Sequence, residues 1–167
     1  MSANAAFLPD RSVILVSGAE APAFLQGLFT NDVQKLQPGE ARFAALLSPQ
    51  GKILFDFLVL RDGDAATPRF LIDCPAALAA DLAKRLMLYR LRAKVEIADR
   101  SADLGVAAFW GGAAPQGAFR DPRAAALGFR RIGPRAELAA LGDDGYEAHR
   151  IACGVPKGGV DFAYGDA

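Results

Sequence analysis

This 167-residue chain has one histidine, one tryptophan and two cysteines, and each shortage closes off a class of chemistry. Zinc sites and dithiol redox motifs need close pairs such as Cys-x-x-Cys. Cys74 and Cys153 stand far apart, and the lone His149 cannot make a metal cluster. Both cysteines read as small apolar residues of a reducing compartment. Excess charge is missing as well, since 19 basic and 19 acidic residues cancel and the pI is near 6.6. That balance argues against nucleic-acid binding, which needs an electrostatic footprint, while a small anionic ligand needs only a local patch. No apolar run approaches the roughly 18 residues of a membrane-spanning helix, and the opening residues lack the basic and apolar regions of a secretory signal. No direct membrane contact is expected, and the cytoplasm is the default location. Gly158-Gly159 has neither the Lys-Ser/Thr nor the following helix of a phosphate loop, and no Gly-x-Ser-x-Gly nucleophile elbow occurs.

What the chain has is apolar residues, 52% of the total, enough for one ordinary domain or two small lobes sharing a core. Ser12–Val16 reads as a strand. Ser17 and Glu20 read as a capping box for a helix running to about Phe29, with Pro22 in its first turn. Arg42–Ser48 and Ile53–Arg61 form a hairpin across Ser48-Pro-Gln-Gly51, and Asp62-Gly63-Asp64 ends it. Arg69–Cys74 is a strand. A helix follows from Pro75 with Leu78, Leu82, Leu86 and Tyr89 on one face. Strands are expected at 93–98, 104–109 and 127–132, and a short helix over 134–141. A last helix spans 146–153, with Asp144 as its cap and Gly154 at its end. Helices and strands mix without strict alternation, so the fold class is α+β with a mainly antiparallel sheet and packed helices.

The residue with no structural reason for its position is Asp56. In Ile53–Arg61, Phe55, Phe57 and Val59 point one way; Leu54, Leu58 and Leu60 point the other way, with Asp56 among them. A strand that is apolar on both faces is covered on both, so the carboxylate is desolvated, and an unpaired one would cost several kcal/mol. A desolvated carboxylate is a site candidate; the alternative is an edge aspartate accepting backbone N–H bonds.

Several ordered pieces of the chain carry a resemblance. They are Phe24-Leu-Gln-Gly-Leu with Thr30-Asn31-Asp32-Val33, then Leu47-x-Pro49-x-Gly51-Lys52 leading to Asp56, then Tyr89-x-Leu-Arg-x-Lys-Val95, and Arg150-Ile-x-x-Gly-Val-Pro156. Together these resemble the YgfZ family of folate-binding proteins, relatives of the glycine-cleavage T-protein, an aminomethyltransferase. The signature Lys-Gly-Cys-Tyr-x-Gly-Gln-Glu of that family is not reached, so the chain reads as the N-terminal part of a longer product, lacking the signature segment and the C-terminal domain. The resemblance implies the fold of the T-protein N-terminal region. It also implies tetrahydrofolate or a one-carbon derivative as cofactor, and a role in iron–sulfur enzyme maintenance or tRNA modification with iron–sulfur proteins as partners.

By the same resemblance Asp56 matches the aspartate beside the reactive nitrogens of tetrahydrofolate. Asn31 then organises the mouth of the site, with Lys52 in the turn leading to Asp56. Arg92, with Arg90 and Lys94, offers a basic rim for the carboxylates of the folate tail, where arginine binds in bidentate fashion. That alternation also fits a solvated strand face. Tyr89 can stack on a flat ring or pack with its leucine stripe. Tyr146 and Arg150 read as a surface pair, and Asp32 as turn chemistry. Two other functions remain open: an aminomethyltransferase or tetrahydrofolate-dependent demethylase domain, and a non-catalytic scaffold. As the N-terminal part alone, the chain has an aminomethyltransferase-like fold without a complete catalytic apparatus.

Overall fold

In the computed structural model, residues 4–63 and 66–167 are described; Asp64, read as part of the turn after the hairpin, lies outside them. Among the described residues nine strands form two sheets, and every strand pairing is antiparallel. One sheet holds β2 (Arg11–Ser17), β3 (Ala41–Leu47), β4 (Ile53–Asp62), β5 (Arg69–Pro75) and β6 (Glu96–Asp99) in the order β3-β4-β5-β2-β6. The other holds β1 (Asn4–Phe7), β7 (Leu104–Trp110), β8 (Phe119–Arg120) and β9 (Phe129–Pro134) in the order β1-β7-β9-β8.

Burial explains why β4 is apolar on both faces. Phe55, Phe57 and Val59 pack with Leu25 of helix α1 (Ala21–Gln26) and with Leu82 and Leu86 of α2 (Ala79–Arg90). On its other face Leu60 joins Val13 and Leu71 against Ala6, Val106 and Ala108 of the second sheet. Leu138 of α3 (Arg135–Ala139) closes the far side of that sheet over Phe7 and Ala107. The order of layers is helix, sheet, sheet, helix. Each fully buried Leu, Val or Phe contributes about 1.5–3 kcal/mol to holding them together.

The strand alternation breaks at one place. Leu46 pairs with Phe55 and Leu47 with Ile53, leaving Leu54 as an extra residue. This bulge turns Leu54 onto the helix-side core rather than to the face of Leu58 and Leu60. Bulges re-aim nearby side chains, and this one lies two residues before Asp56.

Other local expectations are corrected. Ser17 belongs to β2, and Glu20 makes no cap bond; its Oε2 accepts the Lys94 N–H at 2.7 Å. Pro22 does sit in the first turn, but α1 stops at Gln26, whose Oε1 accepts the N–H groups of Val33 and Gln34. After Pro75 a short 3₁₀ turn, Ala76–Leu78, precedes α2. Leu82 and Leu86 are fully buried, whereas Tyr89 is 42% exposed. Leu91 then takes φ +48°, a left-handed conformation that turns the chain out of the helix. Arg90 therefore ends α2, and Arg92 and Lys94 do not extend a strand face. A last helix, α4 (Tyr146–Ala152), starts from Gly145 at φ +91° rather than from an Asp144 cap. The turn before β9 needs Gly128: it has φ +85°, and a β-carbon there would lie 2.3 Å from the Phe109 carbonyl oxygen.

Candidate functional site

The facing sheets do not meet through apolar contacts alone. Asp73 of β5 is fully buried, and its carboxylate joins two arginines from different strands. Arg11 of β2 donates from Nε to Oδ1 at 2.7 Å, and Arg130 of β9 donates from Nη1 to Oδ2 at 2.5 Å. Arg130 also reaches Asp121 at 3.3 Å, and Arg123 holds that same carboxylate at 2.8 Å. The Tyr146 hydroxyl accepts from Arg123 at 3.1 Å and from Arg130 at 3.2 Å. Asp73 and Arg130 thus bolt one sheet to the other through a closed set of paired charges.

Burial pushes the Asp73 carboxyl up, but the Arg11 and Arg130 guanidiniums outweigh it and hold it below the usual carboxylate range. Asp121 is lowered in the same way, with burial opposed by Arg123 and Arg130. A carboxyl whose folded pKa is depressed contributes stability above its unfolded pKa of about 3.9 and loses it as the pH falls through the folded value. The urea midpoint should therefore hold steady from pH 7 to about 5 and drop steeply below about 4. A midpoint unchanged down to pH 3 would contradict this reading. The deeply buried thiol of Cys74, pushed up to about 12 chiefly by burial, stays protonated throughout.

Beside this network lies a cavity of about 310 Å³, walled by Phe43, Leu58, Tyr146, Arg130, Arg150 and Asp56 among others. Arg150 is 5% exposed and is held by the Val155 carbonyl at 2.8 Å, by Asp161 at 2.7 Å and by Glu147. Each buried arginine of the cavity therefore already has a carboxylate. Asp56 differs. It is 9% exposed and, among the described residues, has no cationic partner; its carboxylate accepts one hydrogen bond, from the Tyr164 hydroxyl at 2.5 Å. A sequestered carboxylate with no ion-pair partner among the described residues, open to a cavity, favours a ligand that brings N–H donors or positive charge.

The residues singled out from the sequence do not all converge. Asp56 lines the cavity. Asn31 lies behind the wall: its Nδ2 donates to the carbonyl of Phe43 at 2.9 Å, and its Oδ1 accepts the Asp32 N–H at 2.8 Å. Lys52 is exposed, donating to the Asp166 carbonyl at 3.0 Å. Tyr89 lies with Phe55 along a depression on the helix side of the sheet, the face opposite Asp56. Arg92 is exposed beyond the end of α2, because the turn at Leu91 carries it off the strand expected there.

Arg11, Asp73, Asp121, Arg130 and Tyr164 were missed, and Arg150 with Tyr146 turns out buried rather than a surface pair. For Asp73 a signal existed. It interrupts the apolar run Phe70-Leu-Ile-Asp-Cys74 just as Asp56 interrupts its own strand. Its arginine partners come from distant segments and leave no local pattern.

The family described as the GCVT N-terminal domain matches residues 10–117. The chain belongs to that family. Among solved structures, the glycine cleavage system aminomethyltransferase T from Bartonella henselae aligns with a TM-score of 0.77 over 96% of this chain and 53% of that one. At 19% identity this likeness speaks for the GCVT fold alone, an α+β arrangement of antiparallel sheets with few helices. Curated relatives carry another name. The iron-sulfur cluster assembly factor IBA57 homolog, mitochondrial, of Mycosarcoma maydis is 34% identical, over 93% of this chain and 44% of that protein. The mouse and human proteins called iron-sulfur cluster assembly factor IBA57, mitochondrial, are 30% and 31% identical, each over 96% of this chain and 53% of their own length. The chain thus spans about half the length of the curated relatives it matches. These names also overturn the cytoplasmic default, since the relatives are called mitochondrial.

Proposed function

We propose that this GCVT domain is the tetrahydrofolate-binding region of an iron–sulfur cluster assembly factor, of the type shared by YgfZ and IBA57. The observation that carries the folate half of this reading is Asp56, a buried carboxylate with no ion-pair partner among the described residues, which opens on the cavity between the sheets. A reduced pterin offers a flat ring with several N–H donors. Phe43 and Leu58 supply apolar wall beside the carboxylate. About 310 Å³ lies at the lower end of small-molecule sites, room for the ring system rather than for the cofactor with its glutamate tail.

When bound, the folate would supply a carrier for a one-carbon unit. The chain's own part is simpler: Asp56 accepts an N–H of the ring and is placed to hold or remove a proton there. The paired arginines keep the sheets, and so the cavity walls, at fixed separation. The assembly half of the reading, with iron–sulfur proteins as partners, is supported by the names of the curated relatives; those names give no support to tRNA modification. An aminomethyltransferase is the second reading, and it rests on membership of the GCVT N-terminal domain family.

The test is a calorimetric titration of the chain with tetrahydrofolate, in which a dissociation constant below millimolar is expected. Arg92→Ala should leave that constant unchanged within twofold, roughly the noise expected for an exposed charge off the site. Absence of binding at millimolar concentration, or a large loss in Arg92→Ala, would contradict the placement of the ligand at Asp56.

A further inference from the structure

The segment after α4 returns to the start of β4 and is fastened there. The Gly165 N–H donates to the Ile53 carbonyl at 2.8 Å, and the Ile53 N–H to the Ala167 carbonyl at 2.7 Å. This strap carries Tyr164, whose ring meets Phe162 edge-on with centroids 5.6 Å apart and whose hydroxyl donates to Asp56 Oδ1. On its other side the hydroxyl presses on Gly158, where a β-carbon would lie only 2.2 Å from it. Asp56 and Gly158 both line the cavity, so the hydroxyl is wedged between two of its wall residues. Burial, and then the bond to Asp56, push the Tyr164 phenol up, so it remains a donor at neutral pH.

We propose that Tyr164 stands in for the ligand: its O–H holds the acceptor position on Asp56 that an N–H donor of the bound molecule takes, and binding displaces the phenol. With the phenol in place Asp56 is 9% exposed, which leaves a second donor little of the carboxylate to reach. The site then selects molecules whose N–H competes with a phenol for a carboxylate, such as ring amines of a flat heterocycle, over those that bring only acceptors. This inference rests on the folate reading above, and its probe is tetrahydrofolate.

Two variants remove the phenol from Asp56 by different routes. Tyr164→Phe deletes the hydroxyl. Gly158→Ala puts a β-carbon where the hydroxyl sits, at a backbone position outside the left-handed region, so the flexible end of Tyr164 has to move. Calorimetric titration should show both binding tetrahydrofolate about tenfold more tightly than wild type, the lower end of what a hydrogen bond to a charged group contributes. Equal or weaker binding in Tyr164→Phe would overturn the proposal while leaving wild-type folate binding standing. If wild type and both variants give no heat, the folate reading fails on its own, and hydrogen exchange in the ligand-free protein decides the latch. The Gly165 and Ile53 amides should then exchange several-fold faster in Tyr164→Phe, as loss of a local fastening predicts. Unchanged exchange would overturn the latch.

Discussion

Asp73→Ala should cost the fold about 3–5 kcal/mol, because it removes the carboxylate that Arg11 and Arg130 share and leaves the buried Arg130 only its longer pairing with Asp121 at 3.3 Å. Arg130 is 3% exposed and Asp73 fully buried, so water cannot replace the lost partner. A domain of this size has about 5–15 kcal/mol in all, so the loss would bring it close to unfolding at physiological temperature. The cost arises from the unpaired charge and not from the missing contact. Asp73→Ala combined with Arg130→Met should therefore be less destabilised than the sum of the two single changes. Contacting residues in one network typically couple by 0.5–3 kcal/mol, and apolar replacement of a buried pair is often close to neutral. Urea unfolding of the four proteins at pH 7 measures this directly. Strict additivity would mean that Asp73 and Arg130 do not act as a pair.

How much of this was legible in the sequence depends on how local each cause is. The strand Ile53–Asp62 was readable because its apolar residues and its single carboxylate lie within one run. The hairpin at Ser48–Gly51 was readable because the Gly51 N–H closes on the Ser48 carbonyl at 2.9 Å through residues that favour such a turn. The network around Asp73 was not. It draws Arg11, Asp121 and Arg130 from three separate strands or loops, and only the packing of one sheet on the other brings them together. The alternation of Arg90, Arg92 and Lys94 looked like a strand, and only the left-handed Leu91 shows otherwise. The bond from Tyr164 to Asp56 joins residues more than a hundred positions apart, and Tyr164 sits in a stretch with no periodicity to flag it. Short strands such as Asn4–Phe7 escaped because Asn-Ala-Ala-Phe lacks the β-branched residues that mark a strand; their formation rests on pairing with β7.

Asp56→Asn carries the second large effect, this time on binding. Asparagine keeps the shape and one acceptor oxygen but removes the charge. The loss of a hydrogen bond to a charged group contributes about 1.5–3 kcal/mol, or roughly ten- to a hundredfold in affinity. Because the carboxylate is nearly sequestered, this loss should persist in high salt, which screens exposed charges most. The fold should be little changed, since no cation among the described residues depends on Asp56. The deciding measurement is a calorimetric titration of wild type and Asp56→Asn with tetrahydrofolate at low and high ionic strength, with the urea midpoint recorded for each. A tenfold or greater loss of affinity at both salt concentrations, with the midpoint preserved, is the predicted result. Tight wild-type binding that Asp56→Asn leaves unchanged would contradict the assignment of Asp56, and with it the site.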